Sequence, residues 1–299
     1  SEKDFVAAFE AGETVFNFWR EALRVQRASI RGELPSWIEQ SIEGPLTSEQ
    51  QKWQRLVCLQ GGDEALPQLA RLDCTSLWFP VEIQERLGFL GGCASWHMAN
   101  NQAGYPRGLA PIAGGDVPRM LAAAIKIMAN RFYPRVLLIS PVGYLVEQEF
   151  LKTQLETHDV FAIVADRDEF LHGVGVSFDQ GKVMFKGERI DVIYRRELNA
   201  ASLAQTEAGL KVLQSYLDGK VAIEPPLNML YDCKSPMAWV HDQETSAFFS
   251  QAVKNLIPPA VLLPLDNNQA FRLGVDNLTI NTILEKFSNE KRAFVVKYA

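Results

Sequence analysis

Along residues 4–30, Phe5, Phe9, Val15, Phe18, Trp19, Leu23 and Val25 recur at roughly the helical period. This spacing predicts a long helix, with Gly12 as a candidate interruption. Pro35 opens a second segment, and residues 48–60, with Trp53, Leu56 and Val57, read as a third helix. The pattern then changes. Ala70–Cys74 and Trp78–Gln84 alternate polar with apolar residues, the period of a strand. A glycine-rich stretch follows, from Gly88 to Gly115, and reads as loop.

Residues 116–225 are organised differently. A helix is predicted over 118–130, capped by Asp116. Arg135–Ser140 is a continuous apolar run, as expected of a parallel strand buried on both faces. A helix over 144–156, a strand over 160–165, a small hairpin over 183–189 and a buried strand over 190–194 come next. A helix over 202–217 and a strand at 221–223 close the block. This alternation predicts an α/β doubly wound arrangement. No GxGxxG motif follows a strand, so a dinucleotide site has little support. Beyond Pro225-Pro226, residues 232–255 read as largely helical, 257–263 as a loop running into a strand, 278–288 as helix and 292–299 as a last strand.

Composition narrows the class. The chain has 299 residues, 47% hydrophobic and 22% charged, which fits a globular protein and excludes disorder. A net charge of −6 and the lack of a dense Lys/Arg block argue against a nucleic-acid partner. No apolar run approaches the ~20 residues of a membrane span. The four cysteines form no CxxC pair, so free thiols in a reducing cytoplasm are expected and a zinc site is not.

Three groups of residues could carry chemistry. On strands, residues i and i+2 share a face, so Arg71 pairs with Asp73 and Glu82 with Gln84. If the two strands form an antiparallel hairpin, three oxygen donors and one guanidinium gather on one face. Such oxygens suit Mg²⁺, and the arginine suits a phosphate. The same pattern also suits a hairpin with a solvated charged face. Lys234, at a helix start, and Lys297, after Phe294-Val295-Val296, are candidate phosphate partners, or surface lysines. Arg195 and Arg196 follow a buried strand, where doubly wound sheets meet their ligands. They could bind an anionic substrate or close a salt-bridged strand end. Cys93 and His97 lie in the glycine-rich loop without a nucleophile signature.

The order of these pieces resembles the circularly permuted ATP-grasp ligases, the group that contains glutathionylspermidine synthase. An Arg-x-Asp and a Glu-x-Gln come early, a block ending in Asp191-Val-Ile-Tyr-Arg-Arg196 follows, then Lys234 and finally Lys297. The resemblance covers about residues 70–299. It implies ATP-grasp-like pieces around a Rossmann-like pre-ATP-grasp domain, with boundaries at 1–115, 116–225 and 226–299. By resemblance, Asp73, Glu82 and Gln84 match Mg²⁺ ligands. Arg71 matches the arginine on the transferring phosphoryl group, and Lys234 and Lys297 match the lysines on the ATP phosphates. The implied activity joins a small carboxylate to an amine through an acyl phosphate. Gln84 stands where the family has Asn, and Tyr298 where Pro is common. The family's glycine-rich phosphate loop and adenine contacts have no counterpart after Lys297, so a fragment of a longer ligase is expected. The alternatives are a non-catalytic scaffold module with an ATP-grasp-like fold, or an unrelated α/β enzyme acting at Tyr194-Arg195-Arg196. Oligomeric state is not set by the sequence.

Overall fold

The computed structural model describes residues 2–44, 46–60, 66–68, 71–74, 80–84, 117–260, 262, 271–273, 276–279 and 281. Among the described residues it is a mixed α/β structure with one parallel sheet and two antiparallel ones, beside a further two-stranded pair. The chain divides into two compact units, both discontinuous. One takes Ser1–Pro45, Leu72–Gln84 and Leu230–Ala299, and the other takes Leu46–Arg71 and Glu85–Met229.

The second unit is built on a four-stranded sheet. β3 (Arg135–Ser140), β4 (Phe161–Asp166), β8 (Val192–Arg195) and β9 (Ala222–Glu224) lie in the order β4-β3-β8-β9. Every neighbouring pair is parallel. β3 is an inner strand and is apolar from Val136 to Ile139 because both its faces are covered. Val136 and Leu138 point to one layer, with Leu121 and Ile125 of α4 (Val117–Ala129) and Leu151 and Leu155 of α5 (Leu145–Glu156). Leu137 and Ile139 point to the other, with Val57 of α3 (Ser48–Gln60), Phe170 of α6 (Arg167–Leu171), Leu203 of α7 (Ala200–Leu203) and Val212 of α8 (Glu207–Leu217). Truncating Leu137 or Leu138 to Ala would cost ~2–5 kcal/mol. A small antiparallel sheet, β5 (Val176–Asp179), β6 (Lys182–Phe185) and β7 (Glu188–Arg189), contributes Val183 and Phe185 to this second layer.

The first unit is mainly helical. α1 (Glu2–Ile30) runs through Gly12 without a break. It buries Phe18 and Trp19, which meet Phe249 and Tyr231 through ring centroids 6.4 and 5.3 Å apart. α2 (Ser36–Glu43) accepts at its Ser41 carbonyl from Ser235 Oγ at 2.9 Å. Ser235 opens α9 (Ser235–Trp239), and α10 (Gln251–Leu256) follows. β1 (Arg71–Cys74) and β2 (Pro80–Gln84) pair in a two-stranded sheet. β10 (Phe271–Leu273) and β11 (Asp276–Leu278) form an antiparallel hairpin.

Several expectations change. The helix foreseen over 202–217 is two, because Thr206 caps a new start and its Oγ1 accepts from Gly209 N at 3.0 Å. Residues 232–255, expected to be largely helical, hold two short helices and a 3-10 turn at Ser246–Phe248 with non-helical segments between them. α6, β5 and the β10–β11 hairpin have no counterpart in the sequence reading. Leu278, expected to start a helix, ends β11. The glycine-rich loop and the strand at 292–299 lie outside the described residues. No helix among those described is long and apolar enough to cross a membrane.

Candidate functional site

The winding of the parallel sheet reverses between β3 and β8, since the chain moves outward to β4 in one direction and to β9 in the other. Beyond the carboxyl ends of strands at such a reversal lies the usual ligand position in open α/β sheets. Here that edge gathers Ser140, Asp166, Arg195, Arg196, Glu197 and Glu224.

After β3, Pro141 leads into a 3-10 turn, Val142–Tyr144, and then α5. The turn places the Tyr144 ring beneath the Arg196 guanidinium, 3.3 Å from its centre. Glu147, in the first turn of α5, accepts from Arg196 Nη1 at 3.3 Å. Both side chains of that ion pair are largely buried. The main chain is pinned as well, with Arg196 N donating to Ile139 O at 2.9 Å.

After β4, Asp166 caps α6 by accepting the amides of Asp168 and Glu169, each at 3.0 Å. Arg167 reaches Asp168 at 2.8 Å and Glu197 at 3.2 Å. The hydrogen bond from Arg167 holds the Asp168 carboxyl below its ordinary value, against an opposing effect of desolvation. Glu197 sits at φ 54, a left-handed conformation uncommon for residues other than glycine.

Arg195 is 2% exposed, and Nε and Nη2 donate to the carbonyls of Pro225 and Pro226 at 2.7 and 2.5 Å. Glu224, equally buried, accepts from Gln68 N at 2.8 Å. Tyr216 lies near both. Burial pushes its hydroxyl upward, Arg195 opposes that, and Glu224 adds to it. Gln54 of α3 continues the clasp, donating to Asn228 Oδ1 at 2.5 Å and accepting from Met229 N at 3.2 Å.

A cleft of about 440 Å³ opens beside β4. Val142, Leu145 and Val164 form its apolar wall, and Glu149, Asp166, Asp168 and Glu169 its acidic side. Among the described residues, no three His, Cys, Asp or Glu groups converge closely enough to hold a metal ion.

The other expected positions fall in the first unit or at its boundary. Arg71 and Asp73 are on β1, and Glu82 and Gln84 are on β2, so paired strands carry all four. Their side chains lie outside the described residues. Lys234 is half-buried and occupies the residue just before α9. Lys297 is outside the described residues. Sequence reading missed Tyr144, Glu147 and Arg167, whereas Glu197 was read together with Arg195 and Arg196 after the buried strand. A usable signal was the position of Pro141–Tyr144 and Asp166–Asp168 directly after apolar strands.

No family model matches the chain, and no curated protein matches its sequence.

Proposed function

We propose that the protein is an ATP-dependent carboxylate–amine ligase, with ATP-grasp-like pieces around a Rossmann-like pre-ATP-grasp domain, acting in the cytoplasm. The observation that supports it best is the grouping of Leu72–Gln84 with the segment from Leu230 onward in one compact unit. Despite the long stretch between them, Asp73, Glu82, Gln84 and Lys234 thereby belong to the same body.

Two carboxylates and an amide oxygen on paired strands are a donor set suited to a hard divalent cation. Asp73, Glu82 and Gln84 would hold Mg²⁺, which supplies neutralisation of phosphate charge. Lys234 and Lys297 would grip the ATP phosphates, and Arg71 would stabilise the group in transfer. A substrate carboxylate oxygen attacks the γ-phosphorus, the bond to the leaving oxygen breaks, and ADP departs. The amine nitrogen then attacks the acyl carbon, phosphate leaves, and loss of the amine proton gives the amide.

Calorimetric titration of Mg-ATP into the protein tests the reading. Saturable, Mg²⁺-dependent binding that is lost in Asp73→Asn is expected; binding unchanged in Asp73→Asn and Glu82→Gln overturns the site.

A second reading is a non-catalytic scaffold module. It is favoured by Arg195 and Arg196, whose described contacts are to the protein's own carbonyls, carboxylate and ring. Partner binding indifferent to Mg-ATP would support it.

A further inference from the structure

We draw no further inference here: the strongest candidate, the cleft beside β4 edged by Glu149, Asp166, Asp168 and Glu169, is a cluster of carboxylates in which Asp166 is taken up by the first amides of α6 and Asp168 by Arg167, and among the described residues nothing shows what would occupy it.

Discussion

Arg195 donates from Nε to the carbonyl oxygen of Pro225 at 2.7 Å, and this bond ties the end of β8 to the segment leaving β9. The neighbouring Pro226 carbonyl receives Nη2 of the same guanidinium. Arg195→Met should therefore leave two carbonyls without these donors. At ~1–3 kcal/mol for each buried group left unsatisfied, the expected loss is ~2–6 kcal/mol, measured by urea denaturation. A change below ~0.5 kcal/mol would show that the clasp is dispensable.

Arg196 and Tyr144 should be energetically coupled. A cation over an aromatic face is worth ~0.5–2 kcal/mol, more when desolvated. A double-mutant cycle of Arg196→Met and Tyr144→Leu is expected to return a coupling in that range. Independent effects of the two substitutions would show that the stacking carries no energy.

Tyr216 should make the protein alkali-sensitive. Its folded-state value is raised above the ordinary 10.0, chiefly by burial. The native state therefore keeps the phenol proton at pH values where the unfolded chain releases it. The contribution to stability is whole below the unfolded value and is lost as pH rises from there through the raised folded value. Ultraviolet titration should find one tyrosine ionising late, and Tyr216→Phe should flatten the alkaline fall in stability. A normal titration of all tyrosines would refute this.

Gly209 should not tolerate a side chain. A Cβ there would collide with the carbonyl oxygen of Leu203, where α8 starts against the end of α7. Gly209→Ala is expected to cost ~1–3 kcal/mol by overpacking, seen as a lowered Tm. A neutral effect would mean that the two helices separate freely.

Apolar periodicity made the parallel sheet legible. Arg135–Ser140 and Val192–Tyr194 are buried on both faces, so their runs of apolar residues are unbroken. The long helix was legible from the spacing of Phe18, Trp19 and Leu23. What failed was local: Thr206 restarts a helix within an otherwise continuous pattern, because a side-chain oxygen satisfies an amide that periodicity does not register. At the carboxyl edge, Arg195 and Arg196 were visible as charges after a strand. Their partners were not, because Pro225, Pro226 and Tyr144 come from other strands' exits, and only the sheet order brings those together.

The interleaving of the two units has a consequence for synthesis. Phe18 and Trp19 leave the ribosome more than two hundred residues before Tyr231 and Phe249, the rings they meet. Until then the inner face of α1 has no cover from those two rings, while Leu46–Arg71 and Glu85–Met229 are already complete. The sheet-bearing unit can therefore finish first, and the amino-terminal helix must wait, an exposed apolar surface of the kind that chaperones bind and that aggregates when translation stalls.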